Sequence, residues 1–271
     1  MKLEVAVGPS TYSNIDAVDI ADVSVAHLRM PPAAAQRAPW SRVGADRRRY
    51  RSASVLKPLL FWAAAGQDPY RWDRQGWADQ ARPAVTVGDA AATAAMCDTV
   101  GHTALLDRVA ALTGVPWHIE TGGVRHFLRV LVTAEELVAC YAQLATAAGD
   151  GDEAAADVLA WMRQVPEPHT FGARAAAAAE LDTDPDAVAV TCGWLAHPDE
   201  TVLRTHAVTV ARSDDGVEHV TAVLTAVPLA AAAHTAYGRA YADGQDVTGV
   251  HEAFAGPSVR AGTIAALRDA G

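Results

Sequence analysis

Strand-like segments stand at both ends of this chain and helical segments fill its middle, an order that leaves few folds open. The segments at 3–7 and 17–28, the second reading AVDIADVSVAHL, are β-rich and partly alternating. Near the other end DAVAVTCGWLAH, ETVLRTHAVTVAR and VEHVTAVLTAV read as three consecutive strands, with the turn SDDG joining the last two. Between 54 and 180 the period is helical, in SVLKPLLFWAAAG, VGDAAATAAM, GHTALLDRVAALTG, TAEELVACYAQLATAAG and DEAAADVLAWMRQ. The expectation is an α+β fold in which one antiparallel sheet, built from both chain ends, packs against helices and carries an inserted all-helical lobe. Residues 1–53 and 185–271 then form the sheet lobe and 54–184 the helical lobe, with the active site at their interface. The segment MPPAAAQRAPWSRVGADRRRYRS reads as a surface loop, a closing helix starts near Pro228, and SVRAGTIAALRDA adds one more helix.

A length of 271 residues with 51% hydrophobic residues suits one large core or two intimately joined lobes. A formal charge of −10 leaves no broad basic surface, so nucleic acid and anionic membrane are not expected as partners. The expected partner is a small molecule, and the oligomeric state is left open. No uninterrupted apolar run reaches spanning length, and MKLEVAVGPSTYSNID lacks the apolar core and cleavage site of a secretory signal, so a cytoplasmic location is expected. Cys97, Cys140 and Cys192 are odd in number and lack CxxC spacing. Neither a disulfide framework nor a zinc site is indicated, and no metal or cofactor is expected.

The basic residues are nearly all Arg, and the only lysines are Lys2 and Lys57. In Ser54-Val55-Leu56-Lys57 a serine opens an apolar helix and the lysine follows three residues later on the same helical face. A serine hydroxyl is a weak nucleophile at neutral pH, and a neighbouring amine whose pKa is depressed by burial can take its proton. The helix N-terminus adds backbone donors for a developing oxyanion. An N-capping serine followed by a solvated lysine would give the same four letters.

The order of the segments downstream favours the catalytic reading. SASVLKPLLFWAAA resembles the nucleophile helix of class A β-lactamases, VTVGDAAATAAMCDTVGHTALLDRVAALTG resembles the segment leading into and through that family's Ser-Asp-Asn motif, and AVAVTCGW resembles the strand carrying its Lys-Thr-Gly motif. The resemblance to the serine β-lactamase and penicillin-binding-protein superfamily extends over 51–227 through motif order and element pattern, with few identities. It implies Ser54 as nucleophile and Lys57 as general base. It also aligns Asp98 with the structural Asp of the second motif and Gly193 with the glycine that lets substrate backbone approach the strand.

The departures matter as much. Under this alignment Cys97 stands in place of a proton-shuttling Ser, Thr99 in place of Asn, and Thr191-Cys192 in place of Lys-Thr, so the second lysine and its positive charge are gone. Glu120 is the only carboxylate between Gly114 and Thr133, and no Glu of the class A deacylating type is evident. Cys97 and Cys192 admit four readings: buried wall residues, a redox pair, thiols tuned by Lys57, or soft-metal ligands. Arg204 and His206, on one face of the following strand, and His197 in the turn before it are candidates to replace the missing lysine, unless that face is the solvent side.

These residues imply an enzyme, a serine hydrolase or acyltransferase of β-lactamase-like fold that is not an efficient β-lactamase. Its substrate class is a small ester, thioester, amide or lactam, and the Ala- and Arg-rich, Lys-poor composition suggests an actinomycete-like, GC-rich genome and natural-product biosynthesis. The alternatives are a non-hydrolytic cyclase, dehydratase or isomerase using Lys57 as acid or base, and a small-molecule-binding protein that kept the fold and lost the chemistry.

Overall fold

The computed structural model describes residues 2–3, 21–30, 41–43, 48–65, 74–120, 126–196 and 201–268. Its strands are β1 (Lys2–Leu3), β2 (Ala21–Met30), β3 (Ser41–Val43), β4 (Tyr50–Arg51), β5 (His118–Ile119), β6 (Val130–Val132), β7 (Ala189–Ala196), β8 (Val202–Arg212) and β9 (Glu218–Pro228). The helices are α1 (Lys57–Ala65), α2 (Arg74–Thr86), α3 (Ala90–Val100), α4 (His102–Thr113), α5 (Ala134–Gly149), α6 (Glu153–Arg163), α7 (Ala173–Leu181), α8 (Ala231–Ala242), α9 (Thr248–Phe254) and α10 (Gly256–Arg268).

Both chain ends contribute to one antiparallel sheet in the order β1-β2-β9-β8-β7, with β3 beside β2. This is the α+β arrangement expected from the sequence. Alternation explains its layering. Ala26 and Leu28 of β2, Val220, Ala222 and Leu224 of β9, and Val208 and Val210 of β8 join the core of the helical lobe. Their neighbours Val23, Val25, Val223 and Val227 pack with α8, α9 and α10 on the other face. Covered on both sides, β8 is buried almost throughout, its polar Thr205, His206 and Thr209 included. The hairpin between β8 and β9 closes at Gly216, whose φ of +79° belongs to the left-handed region. The hydroxyl of Ser213 and the amide of Val217 both donate to Asp215, fixing the turn.

Elements the periodicity did not single out also shape the molecule. Helix α2 is polar on average and contains Pro83, which hid it. A small sheet, β4-β6-β5, spans the joint between the chain entering α1 and the helical lobe. Helix α5 is started by a full capping box, Thr133 with Glu136. Glu136 in turn holds Arg49 through two hydrogen bonds of 2.9 Å, tying the start of β4 to that helix. Among the described residues no helix is long and apolar enough to cross a membrane. His197 and much of the Pro- and Arg-rich loop lie outside the described residues.

Candidate active site

Ser54 sits in a single 3₁₀ turn, Ala53–Leu56, that runs directly into α1. The backbone entering this turn is fixed on every side. Ser52 donates its amide to Val130 O at 2.9 Å, and the guanidinium of Arg51 grips Glu120 at 2.9 and 3.0 Å. Tyr141 of α5, fully buried, donates to the carbonyl of Val55. Ala53, nearly inaccessible and immediately before Ser54, has φ +49°. A non-glycine residue in that region costs on the order of 1 kcal/mol and persists only where the surroundings impose it.

Strand β7 closes the other side. It ends the strand order of the main sheet, and among the described residues no further strand pairs with its outer edge. Thr191 and Gly193 alternate with Cys192 and Trp194 along it. A Cβ on Gly193 would lie 2.6 Å from the amide nitrogens of both Ser54 and Val55. Only glycine lets the strand pass this close to the nucleophile turn. Thr191 is buried and lines the cleft.

Lys57, the first residue of α1, is 5% exposed. Its Nζ donates to Gly88 O at 2.6 Å and Asp89 O at 3.4 Å. Burial lowers its pKa from the ordinary 10.5 to about 8, against a smaller raising effect of Asp89 and Cys97. The partners are main-chain carbonyls because the Asp89 carboxylate is engaged elsewhere, accepting from Ala92 N as the N-cap of α3. Gly88, at φ +74°, faces Trp194: a Cβ there would lie 3.7 Å from the indole Cη2. The two walls thus enclose a narrow cleft, lined by Ser54, Lys57, Gly88, His169, Thr191 and Trp194 and holding about 270 Å³ of space open to solvent.

The placement of the other expected site residues differs from the alignment of motifs. The segment that meets Lys57 is Val87-Gly88-Asp89, ahead of α3, rather than Cys97-Asp98-Thr99 within it. Cys97 is buried in the core of the helical lobe, while Asp98 and Thr99 are exposed on α3 and do not line the cleft. The reason is helical register: a residue eight positions into a helix cannot reach the wall that the preceding turn builds. Cys192 lines the cleft, but its thiol points to the far face of β7, 3.6 Å from Thr170 O. All three cysteines are free and buried. Burial pushes Cys97 up to about 11, Cys140 to about 12, and Cys192 well above its ordinary value. Thiolates are therefore scarce at neutral pH. Among the described residues no group of three or more His, Cys, Asp or Glu is placed to hold a metal.

Arg204 and His206 lie on β8, opposite Leu195 and Gly193 respectively. Neither lines the cleft. His206 is fully buried, with Nε2 2.9 Å from Arg51 O and Nδ1 accepting from Thr225 N at 3.2 Å. Burial lowers its pKa to about 4, so it is a neutral strut beneath β4. His169 was not foreseen. It belongs to a short 3₁₀ turn, Glu167–His169, after α6, and its ring lies 5.3 Å from that of Trp194. Its Nδ1 is buried with no hydrogen-bond partner. Flanking prolines and the positive φ of Phe171 and Gly172 mark this as a constrained turn, the one trace of it in the sequence. Behind it, His251 of α9 bonds Thr205 and Tyr237, supporting Trp194 from below.

No protein-family model matches the sequence, and no curated protein does. Solved structures do. The chain is similar to a class A β-lactamase from Bacteroides cellulosilyticus, with TM-score 0.62 and 12% identity over 93% of each chain. It is similar to the TLA-3 extended-spectrum β-lactamase, with TM-score 0.60 and 13% identity over 90% of this chain and 92% of that one. A β-lactamase from Streptosporangium roseum gives TM-score 0.57 and 16% identity over 92% of each chain. At these identities the likeness concerns the course of the backbone. The chain therefore has the fold of the serine β-lactamases.

Proposed function

We propose that the protein is a serine acyltransferase or hydrolase working through an acyl-Ser54 intermediate, with Lys57 as the base. The observation that carries this reading is the buried Lys57, lining the same cleft as Ser54 and bound to two carbonyls instead of a carboxylate. An amine with a pKa of about 8 is unprotonated in a substantial fraction of molecules at slightly alkaline pH and can take a proton. In the first step Ser54 Oγ bonds to the acyl carbon while its proton passes to Lys57 Nζ. The leaving group then departs with that proton, and a second acceptor later takes the acyl group from Ser54.

The lining favours an acceptor other than water. Among the described residues it contains no carboxylate, and Glu120, the only carboxylate between Gly114 and Thr133, is held by Arg51. A setting in natural-product biosynthesis is supported by the Lys-poor, Arg-rich composition, and three free thiols suit a reducing compartment. Intact-protein mass spectrometry after exposure to a fluorophosphonate tests the reading. One adduct is expected on the wild type, none on Ser54→Ala, with labelling accelerating as pH rises towards 8. An adduct retained by Ser54→Ala would defeat it. A reaction that needs Lys57 but survives loss of Ser54 would instead identify non-covalent acid–base catalysis.

A further inference from the structure

The cleft's charge inventory restricts what it can accept. Lys57 is the only Lys or Arg among the described lining residues, and it must shed its charge before it can act as a base. In that reactive state no fixed cation among the described lining residues faces Ser54. His169 is the other side chain of the lining that carries nitrogen donors or acceptors besides Trp194. Thr191 contributes a neutral hydroxyl, which is no counter-charge, and Arg204 and His206 stand outside the lining. An anionic substrate would lose water in this narrow space with no counter-charge to replace it.

The rest of the lining has a different affinity. Val85 and Val165 join Trp194 to form an apolar surface close to Ser54. Beside them lies His169, its ring 5.3 Å from that of Trp194. An aromatic face beside an imidazole suits an uncharged acyl group that carries one acceptor or donor.

We propose that the substrate is an uncharged acyl donor, its apolar acyl portion lying on Trp194 and its polar group meeting His169. This inference rests on the acyl-enzyme reading. It separates the protein from any role that needs a substrate carboxylate recognised beside the nucleophile.

The test compares two activated esters of matched length, p-nitrophenyl hexanoate and the p-nitrophenyl monoester of adipic acid, each followed by nitrophenol release and by the mass added to Ser54. Fluorophosphonate labelling of the same preparation serves as control. At pH 8.5 the neutral ester should acylate Ser54 at least about tenfold faster than the anionic one. Thr191→Lys, or Thr86→Lys at the cleft rim, should raise the anionic rate and narrow that ratio by about tenfold. Thr86 is the gentler site, and if neither variant folds the wild-type ratio alone decides. Equal or faster acylation by the anionic ester overturns the inference while leaving the acyl-enzyme intact. The same holds if Ser54 takes the fluorophosphonate but neither ester, or if a folded lysine variant leaves the ratio unchanged. Failure of the fluorophosphonate itself removes the acyl-enzyme reading and this inference with it.

Discussion

The two walls of the cleft are built on different principles. The wall formed by β7 and the Ser54 turn is specified by side chains with no freedom to change: Gly193, which makes room, and Tyr141, Arg51, Glu120 and His206, which clamp the backbone. The opposite wall, Val87-Gly88-Asp89, meets Lys57 through the main-chain carbonyls of Gly88 and Asp89, while the Asp89 side chain starts α3 and adds a modest raising effect on Lys57. Where a fold needs close approach of two backbones, sequence is conserved by geometry. Where it needs only a carbonyl, many sequences suffice.

Gly193→Ala should break the first wall most severely. Its added carbon has two backbone nitrogens 2.6 Å away, neither on a flexible side chain. Loss of about 3 kcal/mol of stability and at least about 100-fold of Ser54 labelling is expected, read by chemical denaturation and mass spectrometry.

Acid probes the same wall through its strut. Burial lowers His206 to about 4, and His27 and His251 to about 4 and about 3. The unfolded chain takes up these protons near pH 6.5, before the folded one does, so stability must fall as pH drops from about 6.5 towards 4. Each histidine contributes on the order of 3 kcal/mol to that loss. His206→Asn, which keeps a donor for Arg51 O, should flatten the slope by close to one proton in denaturation midpoints taken between pH 7 and 4.5. An unchanged slope would mean that His206 is not the neutral strut described.

The second wall should yield less. Asp89→Ala removes the cap of α3 and one of the groups that raise Lys57, so about 1 kcal/mol of stability is expected to go. The pH profile of Ser54 labelling should also move slightly to lower values. Asp98→Ala and Thr99→Ala, on the exposed side of α3, should change stability by less than about 0.5 kcal/mol and leave labelling unaffected. A large loss of labelling from either would restore them to the site and undo the contrast between the walls.

The same contrast explains what the sequence disclosed. The sheet was legible because β2, β8 and β9 carry β-branched runs bounded by turn residues, and the long capped helices because their apolar period is regular. Ser54 and Lys57 stood out because helical spacing joins a serine to one of only two lysines. Gly193 was legible as a glycine inside a strand, a residue with a steric reason to be there. Val87-Gly88-Asp89 had no such mark, since its contribution is made by atoms common to every residue. Matching by side-chain type therefore slid to Cys97-Asp98-Thr99, where an Asp happened to follow a small polarisable residue. His169 was hidden for another reason: the turn that aims it depends on the fold of Phe171 and Gly172 around α7 rather than on any local period.

Because Lys57 is bound by the carbonyls of Gly88 and Asp89, its hydrogen bonds do not depend on the side chains of that segment, and the Asp89 carboxylate adds only a smaller raising effect. A side chain at 87, or one that still caps α3 at 89, can be exchanged without removing either hydrogen bond. An engineer wishing to redirect the enzyme thus has a stretch of wall that can be rewritten residue by residue while the proton acceptor stays in tune. A lineage drifting towards a new substrate has the same latitude, with recognition free to vary and the base held constant by the polypeptide itself.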